Sequence, residues 1–232
     1  MTIFKKIKNQ IFIKRDLKRR MTIINNQKID ILFDIGANTG QYSSKLRNLG
    51  YKNGIISFEP LTKVFEILEK TARKDGNWIV NNYALGDEDG EGIINISGHS
   101  DNSSIQDMTS NYLESAPVLK YVGKQKIEIK KLDSIFNSYV KHENKVMIKI
   151  DTQGYEKNVL DGAIESLSRI SIIQLEMSIV QLYKDEMLFM NMINYIESKG
   201  FQLYSLENGS YNRNSGQLLQ VDGIFVNKKF IR

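Results

Sequence analysis

Cysteine is absent from all 232 residues. That excludes a disulfide framework and a thiolate-bound zinc site. Histidine is confined to His99 and His142. Neither forms a serine–histidine–acid pattern with Ser103 or Ser104, so a hydrolase with a serine nucleophile has no support. No apolar run approaches the roughly 20 residues that span a bilayer. The opening stretch, MTIFKKIKNQIFIKRDLKRR, lacks a secretory apolar region and a small-residue cleavage site, which makes a cytoplasmic protein the expectation. Internal repeats and low-complexity linkers are missing too.

What remains is ordinary globular chemistry, with 41% hydrophobic and 25% charged residues, enough for one sizeable core. The net charge of +5 is unevenly spread. Residues 1–30 hold nine lysines and arginines against Asp16 and Asp30, leaving 23 basic and 25 acidic residues in the rest of the chain. Ile3, Phe4, Ile7 and Ile11 recur at helical spacing, as in an amphipathic helix. Residues 1–28 therefore read as a basic helical segment ahead of one domain over 29–232. Two roles suit that segment. It covers the sheet with a solvated basic face, or residues 1–20 meet an anionic membrane or lipid-linked carrier at its periphery. Nucleic acid suits it less, because no known nucleic-acid-binding module accompanies the charge.

Along the domain, Ile29–Ile35 is a nearly continuous apolar run that ends at a glycine turn, the mark of a parallel strand buried on both faces. Residues 42–49 then read as helix, 54–59 as strand, 62–73 as a helix with Thr62 as N-cap, and 78–82 as strand. Such alternation implies right-handed βαβ units and a doubly wound α/β sheet. The middle breaks the rhythm. Strands over 92–97 and 126–131 alternate apolar and polar residues, and between them lies a polar insert around 98–124, read as a lid or substrate-selecting loop. The rhythm resumes with a helix over 132–140, a strand over 145–150, a helix over 156–168 and a strand over 170–175. A helix over 185–199, stopped by Gly200, precedes a closing hairpin of strands over 201–206 and 219–226.

The glycine turn, Asp34-Ile35-Gly36-Ala37-Asn38-Thr39-Gly40, stands where open α/β sheets bind ligands, at the carboxyl end of a strand. Gly36 and Gly40 allow close approach of backbone to ligand. Tyr42 and Ser43 occupy the positions where a dinucleotide fingerprint needs its third glycine, which disfavours a nicotinamide dehydrogenase. Asp34 instead suits a cofactor with a cationic amino group and a sulfonium. Phe58-Glu59-Pro60 follows at the end of the second strand, where an acid accepts both ribose hydroxyls.

These motifs, together with NYALGD (82–87), KKLDS (130–134), KIDTQGYE (149–156) and QLE (174–176), resemble the FkbM-type family of class I methyltransferases in order and spacing over roughly residues 30–180. The resemblance implies a Rossmann-like, seven-stranded, mostly parallel sheet with a terminal antiparallel strand, and S-adenosylmethionine as cofactor. It implies that Asp34, Gly36, Ala37, Asn38, Gly40, Glu59 and Pro60 hold that cofactor, with Asn82 and Ala84 near the adenine. It also implies O-methylation of a sugar or related small molecule, in the setting of surface-glycan biosynthesis.

An alcohol must lose its proton as it attacks a methyl group. Asp151, at the end of its strand, is the first candidate for that base and a neighbour of the cofactor. Lys149, two residues back on the same strand face, orients it, binds the acceptor, or acts as a desolvated base itself. Glu156 opens the next helix, either as a catalytic group or as a charge suited to the helix dipole. Glu176 ends the neighbouring strand. With Asp151 it offers oxygen ligands to Mg²⁺ or another hard cation, or it serves as base or acceptor ligand. His99 opens the insert, either as a base facing the acceptor or as a surface loop residue. The alternatives are a nucleic-acid or protein methyltransferase and a catalytically silent cofactor-binding assembly subunit. Asp151-Thr152-Gln153-Gly154 lacks the Pro-Pro-aromatic pattern of base amine methylases. An oligomer is compatible with all of these.

Overall fold

The computed structural model describes residues 3–231, without the side chains of residues 3–14, 115 and 117. In chain order the elements are α1 (Ile3–Asn26), β1 (Ile31–Ile35), α2 (Gln41–Asn48), β2 (Gly54–Phe58), α3 (Thr62–Ala72) and β3 (Trp78–Asn81). Then come β4 (Ala84–Leu85), β5 (Gly90–Ser97), α4 (Ser110–Ser115), β6 (Tyr121–Lys130) and α5 (Leu132–Tyr139). The last are β7 (Val146–Ile150), α6 (Glu156–Asp161), β8 (Ile170–Ser178), α7 (Phe189–Ser198), β9 (Phe201–Asn208) and β10 (Gln220–Asn227).

Seven strands form the main sheet in the order β3-β2-β1-β7-β8-β10-β9. Only β10 runs against the rest, pairing antiparallel with β8 and β9. The order reverses between β1 and β7, and a ligand crevice belongs at that switch point. Alternate residues of the central strands feed two cores. Leu32, Ile55 and Met147 pack with α1, α2 and α3 on one face. Phe33, Ile56 and Ile148 pack with α5, α6 and α7 on the other. Burial on both faces explains why β1 and β7 are apolar without interruption except at Asp34 and Lys149.

The described part of α1 belongs to the first core. Met21, Ile23 and Ile24 are buried against Ile172, Ile224 and Val226. Arg15, Lys18 and Arg19 stay exposed on the same helix, so a basic face is present. The apolar pattern of Ile3, Phe4, Ile7 and Ile11 lies outside the described side chains.

Four readings of elements change. Strands β5 and β6 pair with each other and with β4 in a separate three-stranded sheet, and the insert between them carries α4 and short turns. The helix expected over 156–168 stops at Asp161. Gly162 lies so close to Gly86 that a Cβ would overlap the Gly86 carbonyl, and the packing there ends the helix. The helix expected from 185 starts at Phe189, because the Glu186 carboxylate takes the Leu182 and Tyr183 N–H groups and holds residues 182–186 in a turn. Thr62 is the first helical residue rather than the cap; Leu61 stands at the cap position.

Candidate active site

Two cavities open at the carboxyl edge of the sheet, and Gly36, Asn38, Asp101 and Asp151 line both. The first combines apolar walls from Phe58, Leu61, Ala84, Leu85 and Ile105 with Glu59 and the glycine turn. The second lies between α1, α2 and the ends of β7, β8 and β10, with Arg20, Tyr42, Lys149, Gln174 and Asp222 in its lining.

The glycine turn is built from left-handed residues, Gly36 at φ +73°, Asn38 at +47° and Gly40 at +86°. Gly36 lines the cavities, but the side where its Cβ would stand is filled by the Asp151 carbonyl. Gly40 lines neither cavity; its Cβ would meet Leu68 and Trp78 at 3.0 Å. The expected role of both glycines in ligand approach is thus corrected for Gly40, whose requirement is the protein's own packing at a backbone angle that favours glycine. Ala37 contributes to the second cavity.

Glu59 is buried at the rim of the first cavity. One carboxylate oxygen accepts the Asn38 N–H at 2.9 Å and the other accepts the Leu61 N–H at 2.8 Å. It therefore ties the glycine turn to the start of α3, and each oxygen keeps a second lone pair for a hydroxyl donor. Burial pushes its carboxyl up to about 7, against the pull of the two N–H groups. Pro60 and Ala84 line the same cavity. Asn82 does not; its amide donates to the Glu59 and Pro60 carbonyls at 2.8 and 3.1 Å, so it braces the loop instead.

Asp34 departs from its expected role. It is wholly buried and lines neither cavity. The Ser43 hydroxyl donates to it at 2.6 Å, and the Lys149 Nζ stands 3.6 Å from its other oxygen. Burial raises its pKa while Lys149 lowers it. Lys149 also reaches Asp151 at 3.2 Å. Burial alone would lower the lysine's pKa, but Asp151 and Asp34 outweigh it and hold the ammonium charged. Those two partners disfavour a neutral Lys149 and place it where it orients Asp151.

Asp151 and the exposed Asp101 of the insert are the acids that both cavities share, and the Asp151 side chain is 38% exposed. Lys149 holds one oxygen and the Gln153 amide holds the other at 2.7 Å. Gln153 keeps a left-handed backbone at φ +56°. Its side chain also donates to Glu176 at 3.1 Å and accepts from Tyr183 at 2.8 Å, and its carbonyl accepts from Ser104 of the insert at 2.6 Å. The insert thus anchors on the loop that aims Asp151. Asn38 donates to Ser100 of the same insert at 3.2 Å.

Glu156, Glu176 and His99 do not meet the expected catalytic roles. The buried Glu156 carboxylate accepts N–H groups of Thr152 and Gly154 at 2.8 and 3.0 Å, shaping the loop before α6. Burial pushes it up to about 7. Glu176 is next to Asp151 in register, since β7 and β8 pair in parallel. Yet the amides of Gln153 and Gln220 both donate to it, and it lines neither cavity. Burial, reinforced by Asp151 and Asp222, raises its pKa well above the usual carboxylate range. The pair expected to bind Mg²⁺ is bridged by an amide, and no third acid, histidine or cysteine completes a ligand set among the described residues. His99 is exposed and lines neither cavity. Its neighbours Ser100 and Asp101 do line the first cavity, together with Ser103, Ser104 and Ile105 of the insert.

Arg20, Gln153 and Asp222 complete the site without having been singled out in the sequence. Asp222 had a signal, a lone acid in an otherwise apolar strand, the same one that Asp34 shows in β1.

A methyltransferase FkbM domain matches residues 34–203, most of the chain. The protein belongs to the FkbM methyltransferase family. No curated protein sequence matches it. Among solved structures, the Aeropyrum pernix fibrillarin with bound S-adenosyl-L-methionine is 9% identical at a TM-score of 0.49, over 85% of this chain and 66% of that one. The Geobacter metallireducens precorrin-6y C5,15-methyltransferase is 12% identical at 0.45, over 89% and 86%. The Burkholderia thailandensis 1,6-didemethyltoxoflavin-N1-methyltransferase with S-adenosylhomocysteine is 7% identical at 0.47, over 86% and 71%. The sheet order of this methyltransferase, with one reversed strand beside the edge, is that of the class I fold.

The first cavity of the methyltransferase fits S-adenosylmethionine on chemical grounds. Its apolar slot suits a purine, Glu59 retains lone pairs for ribose hydroxyls, and Asp151 supplies a carboxylate for a cationic centre.

Proposed function

We propose that this methyltransferase acts on oxygen, moving a methyl group from S-adenosylmethionine to a hydroxyl of a sugar or related small molecule, with Asp151 as general base. One observation carries the reading. Of the two carboxylates that line both cavities, Asp101 and Asp151, it is Asp151 that is braced, one oxygen by Lys149 and the other by Gln153. When bound, S-adenosylmethionine supplies the methyl on a sulfonium whose departure leaves a neutral thioether.

The chain's own part is positioning and proton transfer. Glu59, Pro60 and Ala84 would hold the nucleoside, and Gly36 with Asn38 would carry the turn beneath it. Asp151 takes the acceptor's hydroxyl proton as its oxygen bonds to the methyl carbon. Lys149 holds the Asp151 carboxylate in place for that transfer. The second cavity carries one aromatic side chain, Tyr42, and no Pro-Pro-aromatic platform for a flipped base. No divalent cation enters this reading, because Gln153 bridges the two carboxylates that would hold it.

The setting we propose is surface-glycan biosynthesis at the cytoplasmic face of a membrane, with residues 1–20 against anionic lipid. The exposed Arg15, Lys18 and Arg19 support it, as do the nine basic residues against two acidic ones in residues 1–30. No helix among the described residues is long and apolar enough to cross a membrane. Sedimentation with phosphatidylglycerol vesicles, but not with phosphatidylcholine vesicles, is the expected behaviour.

Calorimetry with S-adenosylmethionine, with and without EDTA, tests the cofactor half. Micromolar binding that is lost in Glu59→Ala and indifferent to EDTA is expected. Release of S-adenosylhomocysteine in the presence of methyl glycosides tests the other half. Absence of cofactor binding under every condition would sink the reading in favour of a silent assembly subunit.

A further inference from the structure

The second cavity meets the cofactor cleft at Gly36, Asn38, Asp101 and Asp151 and extends beyond it between α1 and the ends of the strands. A molecule lodged there touches the group that Asp151 serves. Its charge composition is balanced. Asp16, Asp101, Asp151 and Asp222 stand against Arg20, Lys45 and Lys149. The two inner cations are already committed, Arg20 to Glu207 and Lys149 to Asp151 and Asp34. An anionic ligand would find only the exposed Lys45. Nor is there an aromatic platform. The Tyr42 ring has Arg20 at 4.9 Å and Lys149 at 5.3 Å from its centroid, and its hydroxyl is spent on Gln174 at 2.7 Å.

Asp222 is the unspent group. It lies at the start of β10, opposite Glu176 on one side and Glu207 on the other. No hydrogen bond among the described residues reaches its carboxylate, although the cavity exposes it. Burial, with Asp151 and Glu207 nearby, pushes it up to about 6 against the pull of Arg20 and Lys149. A carboxylate removed from water and left without donors gains most from a ligand that brings hydroxyl groups.

We propose that this cavity is the acceptor subsite, that its ligand is a neutral polyhydroxylated molecule, and that Asp222 binds a hydroxyl of that ligand beside the one Asp151 deprotonates. The inference rests on the methyl-transfer reading of Asp151. Asp222 is a specificity residue here, taking O–H donors and moving no proton, and α1 forms part of the subsite through Asp16, Leu17 and Arg20. Uronates, sugar phosphates and catechols are excluded as ligands of the subsite by the committed cations and the covered ring.

The test uses full-length protein saturated with S-adenosylhomocysteine. Saturation-transfer NMR follows the binding of methyl glycosides of glucose, galactose, mannose and rhamnose. Glucuronate, glucose 1-phosphate and catechol are the contrasting probes. At least one neutral glycoside binds the wild type, and Asp222→Asn and Asp222→Ala weaken it at least about tenfold. Both variants keep wild-type affinity for S-adenosylhomocysteine by calorimetry, which shows that they are folded. Equal glycoside binding in the variants, binding of no glycoside, or preference for a charged or aromatic probe overturns the assignment while leaving the methyltransferase reading intact. Failure of the wild type to bind S-adenosylhomocysteine overturns both.

Discussion

Asp151 differs from the other acids around it by what already occupies their oxygens. Glu59 and Glu156 each accept two or more backbone N–H groups, Glu176 accepts two amides, and Asp34 is sealed under the turn. Only Asp151 combines braced geometry with an open face toward both cavities. Asp151→Asn should lower turnover by about 10² to 10⁴, the range that general-base catalysis contributes, while urea midpoints stay close to wild type. Steady-state release of S-adenosylhomocysteine measures the first and equilibrium unfolding the second. Gly36 is constrained from two directions, by φ +73° and by the Asp151 carbonyl. Gly36→Ala should cost more than about 3 kcal/mol, combining left-handed strain with a backbone overlap, read as a shifted urea midpoint. A fold that tolerates alanine there would refute the close packing of the turn on Asp151.

At the level of elements, α1 is a structural part of the site rather than an appendage. Its buried Arg20 pairs with the equally buried Glu207 of β9 and lies over the Tyr42 ring of α2. Arg20 Nε and one Glu207 oxygen have no hydrogen-bond partner among the described residues, so the pair is tight but incompletely satisfied. Breaking it from one side strands a buried charge. Arg20→Ala should destabilise the protein by about 3 to 5 kcal/mol, whereas Arg20→Met combined with Glu207→Leu should recover most of that loss. Urea denaturation of both distinguishes them, and equal losses would show that the helix is held by Met21, Ile23 and Ile24 alone. The insert is the second such element. Ser104 donates to the Gln153 carbonyl and Asn102 to the Gln153 side chain, so the insert is tied to the loop that aims Asp151.

At the scale of the whole molecule, several acids hold their protons more tightly folded than unfolded. Glu59 and Glu156 are raised by burial to about 7 from an ordinary 4.5, and Glu176 and Asp222 are raised as well. The stabilising contribution of such a group is complete below its unfolded pKa and is lost as pH rises through its folded pKa. Asp75 and Asp89 act in the opposite sense, being lowered by Arg47 and by Ser134 respectively. The clean comparison is therefore between wild type and Glu156→Gln. Between about pH 5 and about pH 8 the wild type should lose more stability than the variant, by roughly 3 kcal/mol. Unfolding free energies from urea titrations at both pH values measure this. Parallel pH profiles would show that Glu156 ionises as freely in the folded protein as in the unfolded chain.

Local chemistry decided much of this protein in advance. The apolar runs of β1 and β7, the glycine turn, the acid after β2 and the stop at Gly200 each depend on residues within a few positions of one another, and all stand where the sequence places them. The motifs of residues 34–176 likewise carry the family. The roles of the acids were legible only in kind. A carboxylate at a strand end looks the same in sequence whether it meets water, an amide or a backbone N–H. Which of these Asp34, Asp151, Glu156, Glu176 and Asp222 meets depends on partners near and far along the chain, through contacts such as Lys149 with Asp34, Gln153 with Asp151 and Gln220 with Glu176. The second cavity is the extreme case. Its walls come from α1, α2 and four strands that share a surface only after the sheet has been assembled and covered, because burial and strand order are long-range properties that no local pattern encodes.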